Sequence, residues 1–314
     1  DGLRVPTGLA SEEIIDYTSA FLRASAFAVI TIDEFVHVSG SFAFVKGGTV
    51  TGTLEGTSGS AGELSIMTVG AQDVNIFVGQ GGPYFEFDAT LNGGAGGYKL
   101  PGDEGDAVGL ALSNVSFGLA LLKPTTVDSV VSNNVSYYAL RASGSAVLIG
   151  VDGVTINASN ILVEVNGASA PPVMPAPATP VPPLPVLDLL ATDWTGLDPG
   201  AGTTEDPTRA ATDPLRVLTG VNGDDEDQFI ELDYTNRKLF ATGTLDFLLD
   251  FDDDGFDEIT LTNATVSFEQ SFRPSGAAIT KVALTGMTVA LGTDGEKENN
   301  NEEKDIYFDT AKYP

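Results

Sequence analysis

The chain has 314 residues, a net charge of −29, one histidine and no cysteine. With only 15 basic residues it lacks the clustered Lys and Arg that nucleic acid or an anionic membrane surface needs. The missing cysteines exclude disulfides, thiol catalysis and Cys-bound metal or iron–sulfur centres, and the lone His37 excludes multi-histidine metal sites and paired-histidine chemistry.

In chain order, Ser11 to Leu22 is the one fair prediction of a helix, with Glu12 and Glu13 in a first turn where acids suit the dipole. No apolar run reaches the ~18 residues of a membrane helix. The first residue is Asp1 rather than Met, so the chain reads as a processed product or a piece of something longer. From residue 25 onward the pattern is β, and two strand types recur.

The first type is built on a small-polar, Gly, small-polar triplet: Ser39-Gly40-Ser41, Ser143-Gly144-Ser145 and Thr242-Gly243-Thr244. Apolar residues lie at even offsets from each glycine, for example Val38 and Phe42, Ala142 and Ala146, or Ala241 and Leu245. The glycine thus shares their face, which marks a bend or the close approach of another backbone.

The second type has a pivot, at Asp73, Asn114, Asn160, Asn263 and Gly286. Apolar residues sit two and four places before the pivot and one, three and five places after it. The copy at Asn114 reads Leu110, Leu112, then Val115, Phe117, Leu119. Period-two alternation is a half-buried strand, but here the parity flips. An extra residue in a β-bulge restores the face, and Asn, Asp and Gly are the residues that tolerate the left-handed backbone of such a site. The two types follow one another in tandem, Gly144 to Asn160 and Gly243 to Asn263, with the tight-turn dipeptide Asp152-Gly153 between the first pair. Each glycine is expected to sit nearly opposite its partner's pivot.

The fold expected is all-β: repetitive hairpins with bulged strands, forming an elongated sheet or solenoid, or a sandwich, in two modules. Residues 1–169 form the N-terminal β-module with its short leading helix. Residues 170–227 hold a Pro-rich spacer (170–185) and an irregular segment, read as an ordered cover or as linker. Residues 228–314 form the C-terminal module, a meander of Phe229–Tyr234, Lys238–Leu249, Glu258–Gln270 and Thr280–Leu291. The acidic stretch Asp294 to Asp305 reads as a long hairpin tip before Ile306–Phe308.

The sharpest chemical motif runs from Asp250 to Glu258. Asp250, Asp252, Asp254 and Glu258 place carboxylates at positions one, three, five and nine around the turn residue Gly255, and Phe256 offers its carbonyl. Hard oxygen ligands converging around a turn glycine fit calcium, although position twelve is Leu261 rather than Glu. A solvated acidic hairpin tip is the plainer alternative. Asp224 to Asp227 and Asp103 to Asp106 lack ligand spacing and read as exposed turns. His37, between Val36 and Val38, reads as a surface residue. No nucleophile elbow supports Ser-His-Asp catalysis, and nothing marks a particular carboxylate pair of the glycosidase kind. Asn114, Asn134, Asn157 and Asn263 stand in glycosylation sequons. Trp194 and Tyr137-Tyr138 read as packing residues rather than a sugar platform.

The two-strand code, the acidity, the missing cysteines and the Pro-rich spacer together resemble the repeat regions of very large secreted bacterial surface proteins, the adhesins and filament- or matrix-forming proteins. The resemblance covers most of residues 25–166 and 228–309. It implies an extracellular or cell-surface, non-enzymatic structural protein, a subunit or repeat of a filament, surface layer or adhesin stalk. It further implies that calcium at Asp250, Asp252, Asp254 and Glu258 rigidifies the chain. Long strands with apolar inner faces, and two meander edges with little lysine to blunt them, point to other copies of the chain as the partner, with surface polysaccharide as a further one. The alternative is a polysaccharide-binding or polysaccharide-cleaving β-protein. An outer-membrane barrel would need apolar outward faces, whereas the outward positions expected here are mostly Ser, Thr, Asp and Asn.

Overall fold

The structure is a computed structural model and describes residues 3–8, 11–15, 21–33, 35–56, 59–82, 85–90, 97–99, 106–125, 135–169, 184–194, 197, 212–221, 226–251, 257–272, 278–291 and 306–309. It is all-β. The strands are β1 (Leu3–Pro6), β2 (Glu12–Ile15), β3 (Phe21–Ile32), β4 (Val36–Thr53), β5 (Ser60–Gln80), β6 (Glu86–Asp88), β7 (Gly97–Lys99), β8 (Val108–Pro124) and β9 (Ser136–Ile149). They continue with β10 (Val154–Ser169), β11 (Leu215–Val221), β12 (Asp227–Leu232), β13 (Lys238–Leu249), β14 (Ile259–Phe272), β15 (Ala278–Thr285), β16 (Thr288–Leu291) and β17 (Ile306–Asp309).

Among the described residues of the stretch Ser11 to Leu22, the expected helix is replaced by strand. Glu12–Ile15 pairs antiparallel with Leu3–Pro6, and Phe21 already belongs to β3. The stretch holds the β-branched pair Ile14-Ile15, whose stiff side chains suit a strand better than a helix.

One antiparallel sheet dominates, in the order β17-β16-β14-β13-β10-β9-β8-β5-β4-β3, with β15 also on β14. β15 and β16 are one strand interrupted at Gly286, since β14 pairs with both through Thr265↔Thr285 and Thr262↔Thr288. The sheet has ends at β3 and β17 and does not close. β10 bonds directly to β13, from Val154↔Leu249 to Asn166↔Lys238. The chain therefore leaves the sheet after β10 and returns to the same edge, so residues 170–227 do not separate two sheets. The second module continues the first.

All five pivots have a left-handed backbone, with φ of 51° at Asp73, 52° at Asn114 and Asn160, 54° at Asn263 and 66° at Gly286. The register shifts beside each asparagine and aspartate pivot. Because pivot strands and glycine strands are neighbours, these breaks form one transverse seam. Gly40 lies opposite the Asp73–Val74 break. Gly144 faces the Asn114–Val115 break on one side and pairs with Ile161 on the other. Gly243 departs from expectation: it pairs with Val266 and lies opposite the Asn160 break, while Asn263 faces Asp246.

The seam keeps side chains on their faces, and the two faces differ. One carries Leu64, Ile66, Ala120, Leu122, Tyr137 and Ala139, which pack with Leu187, Leu189, Trp194, Leu215, Val217, Leu232 and Tyr234 into the main core. The cover is therefore the segment 184–194 and the hairpin β11–β12, part of which has the composition of a linker. It is stitched down by the bridge Leu54↔Leu187 and by Asp188 N–H to the Thr53 carbonyl at 2.9 Å. Where β11 crosses, the paired residues Gly70 and Gly118 face it. A Cβ on Gly70 would stand 2.0 Å from the Leu218 carbonyl oxygen, so only glycine admits the crossing there.

The other face is the one the pivot pattern writes, and it is not this core. One unbroken cross-strand row runs Ala26↔Phe42↔Ala71↔Phe117↔Ala142↔Val163↔Ala241↔Phe268↔Val282 from β3 to β15. Large and small side chains alternate along most of it. Among the described residues of the pivot copies, only Ala71, Val74 and Ala264 belong to the buried apolar set. The larger side chains are shielded by lateral neighbours alone, and Val282 and Leu284 remain 70% and 48% exposed. Alternation identifies both as strand faces, but it does not say which of the two receives the cover.

Candidate functional site

The acidic loop is anchored at its neck. The backbone N–H of Phe251 donates to Glu258 Oε2 at 2.6 Å, closing the loop between β13 and β14. Asp250 N–H donates to the Gly153 carbonyl at 2.9 Å, tying the loop to the neighbouring β9–β10 turn. Of the five residues expected to bind calcium, Asp250 and Glu258 are therefore placed together at the neck. Asp252, Asp254 and Phe256 lie outside the described residues. Among the described residues no three metal-binding side chains converge. The donor chemistry of the neck, carboxylate and carbonyl oxygen, is of the hard kind that calcium takes.

Of the sequons, Asn114, Asn157 and Asn263 are exposed and Asn134 lies outside the described residues. Asn114 and Asn263 also have backbone work: their N–H groups reach Asn75 Oδ1 at 3.4 Å and Asp246 Oδ1 at 2.7 Å. Trp194 is packing, as expected: it is 1% exposed and its Nε1–H donates to the Leu189 carbonyl at 2.6 Å. His37 is partly exposed, with one edge of its ring turned inward. Its ring stacks on Phe77 at 6.3 Å between centroids, and its Nε2 is buried without a hydrogen-bond partner among the described residues. Being in register with Phe77 across β4 and β5 puts it on the covered face.

A groove opens on the covered face beside β12, lined by Ser116, Arg141, Ser143, Arg216, Asp227 and Glu231 among others. Its acids are engaged. Asp227 pairs with Arg23, and Glu231 with Arg216 at 3.4 Å. Next to it, Arg141, Glu164 and Lys238 stand on the adjacent strands β9, β10 and β13. Glu164 is buried and holds Lys238 Nζ at 2.5 Å and Arg141 Nε at 3.8 Å. Tyr234 from the cover donates its hydroxyl to the Leu140 carbonyl at 3.1 Å. Burial first, and then the charge of Glu164, push the Tyr234 phenol well above its ordinary value. These groups form a satisfied structural network between sheet and cover, with each acid partnered by a base.

The remaining feature is the edge. β3 exposes Leu22, Phe27, Val29, Ile30 and Ile32 on both its faces. Its sole charge, Arg23, is turned onto Asp227 of the cover. A signal for this strand is legible in the sequence: Leu22-Arg23-Ala24-Ser25 repeats Leu140-Arg141-Ala142-Ser143 of β9. β9 has a pivot strand on each side, whereas β3 has a neighbour on one side only.

Comparison with protein-family models, with curated proteins and with solved structures finds no match to this chain. Among the described residues no helix is long and apolar enough to cross a membrane.

Proposed function

We propose that the chain is a non-enzymatic structural module of an extracellular or cell-surface assembly, a subunit or repeat of a filament, surface layer or stalk. Its sheet is continued by strands of neighbouring copies. The observation that carries this reading is the edge strand β3: twelve residues long, apolar on both faces, and without the lysine or proline that blunts an edge in a monomer. All pairings along the sheet are antiparallel through ten positions, so β3 and β17 run in opposite directions. A β17 edge laid against β3 of the next copy would continue the same antiparallel meander, giving a heterologous contact that does not close on itself and grows as a filament.

Calcium belongs to the same reading. With a net charge of −29 per copy, close assembly costs repulsion that salt or divalent ions would screen. Asp250 and Glu258 at the neck, with Asp252, Asp254 and the Phe256 carbonyl, are the residues that would hold the ion. A rigid loop would in turn fix the end of the β13–β14 hairpin.

Electron microscopy of the chain in calcium and physiological salt tests the reading. Filaments or sheets that vanish in a Phe27→Lys/Val29→Lys edge variant are expected. Dispersed particles under all conditions would refute it.

A further inference from the structure

We propose that the open apolar face is an interface in its own right, covered by the same face of a second copy, sheet on sheet. It deepens the assembly reading by adding a lateral contact to the edge contact, through different residues.

The open face is too large to remain in water. From Val69 to Val78 on β5, and at the positions paired with these across β3, β4, β8, β9, β10, β13 and β14, it carries no charged side chain. The pivot Asp73 in this span takes the side-chain amide of Gln72 at 3.3 Å, and Gln72 itself bonds Thr219 of the cover on the opposite face. Eight strands about 4.8 Å apart and about ten residues long span on the order of 1,300 Å². The largest apolar patch on an ordinary monomer is about 300–600 Å², and a stable dimer needs about 800 Å² from each partner. Apart from Asp73, the described charges within this span, such as Arg141, Glu164 and Asp246, stand on the covered face, where face-to-face contact does not bring them together.

The relief of the face selects the occupant. Phe42, Phe117 and Phe268 stand up from the central row, with Ala71, Ala142 and Ala241 between them. Ridges and gaps therefore recur every two strands where the row alternates, about 9.6 Å apart. Acyl chains adapt to any apolar surface and do not require such relief. A second sheet does, because its own side chains stand on the same strand spacing. Two copies of this face, turned to face each other and offset by one strand, set the phenylalanines of each over the alanines of the other. Large residues then meet small ones, the condition for two sheets to interdigitate about 10 Å apart.

Sedimentation velocity of the 314-residue chain across a concentration series, with calcium and physiological salt, tests this together with two variants. Phe117→Lys places a charge in the centre of the row. Val282→Lys places one at the β15 end of the row, next to Phe268, where the residue is already 70% exposed, so the monomer fold has no reason to suffer. A spin label on Ala142→Cys, in a chain otherwise free of cysteine, reports the distance between copies. The expected result is a dimer in the wild type and at least a tenfold weaker one in both variants, with unchanged far-UV circular dichroism. The labels should lie within about 20 Å, as two packed sheets require. A chain that stays monomeric, or a dimer that survives both charges, overturns the proposal. So does a monomer that binds phosphatidylcholine vesicles and loses that binding in the variants, since the face would then belong to lipid. The edge variant Phe27→Lys/Val29→Lys separates the two readings: it should abolish filaments and leave the face-to-face dimer intact.

Discussion

The backbone N–H of Asn263 points at the carboxylate of Asp246 on the facing strand, 2.7 Å away. Asn263 is a left-handed residue with φ of 54°, and Asp246 occupies the place opposite the break that a glycine holds elsewhere in the seam. A strand break is thus fixed twice, by a residue that tolerates the backbone and by an acceptor that satisfies its displaced N–H. Asn263→Ala is expected to cost about 1–2 kcal/mol through the left-handed backbone, Asn263→Gly only a few tenths, and Asp246→Ala about 1–3 kcal/mol for the lost acceptor. Urea midpoints of the three variants measure this ranking.

The glycine triplets predict a graded series, because the same motif meets three different surroundings. A Cβ on Gly40 would lie 2.6 Å from the Val74 Cα, backbone that cannot step aside. On Gly144 it would lie 3.1 Å from the Val115 side chain, and on Gly243 no closer than 3.5 Å to anything. Gly40→Ala should therefore destabilise by more than about 2 kcal/mol, and Gly144→Ala by less. Gly243→Ala should be neutral or gain about 0.5 kcal/mol from a stiffer unfolded chain. Thermal melting of the three variants orders them.

Tyr234 predicts an alkaline limit. Its folded-state phenol is raised above the ordinary value by burial and by Glu164. The folded chain therefore holds this proton more tightly than the unfolded chain does. Its contribution to stability is complete below about pH 10, the unfolded value, and is lost as pH rises from there through the folded value. Stability should fall steeply above about pH 10 and less steeply in Tyr234→Phe. A melting-temperature series from about pH 8 to about pH 11, spanning the unfolded value, would show it; parallel curves for the two proteins would contradict it.

Calcium should raise the melting temperature and a chelator should lower it, since an ion bound only by the folded chain stabilises it by mass action. Asp252→Asn with Asp254→Asn should remove the response. Equal melting temperatures with calcium and with chelator would count against the ion.

The all-β class, the bulge positions and strand spans such as Lys238–Leu249 are legible in the sequence because parity and pivot chemistry are local properties. So is the packing role of Trp194. The leading helix fails as an expectation because two acids after a serine imitate a first turn, while pairing of Glu12–Ile15 with Leu3–Pro6 is not written in either segment. The choice of covered face is not legible either. On β8, Ala120 and Leu122 belong to one face and Leu119 and Leu121 to the other, so both faces are apolar and spacing cannot separate them. What decides is the hairpin β11–β12 and the segment 184–194, which return from far along the chain. The partial burial of His37 is not legible for the same reason, since only the register with β5 brings Phe77 over its ring.

Association of this chain with its own copies is tested most directly by static light scattering, from dilute to concentrated solution in calcium and physiological salt. The mass should rise with concentration well beyond the 32.6 kDa of one chain, and charges placed at Phe117 or Val29 should hold it down. A constant mass of one chain across the whole range would contradict the account.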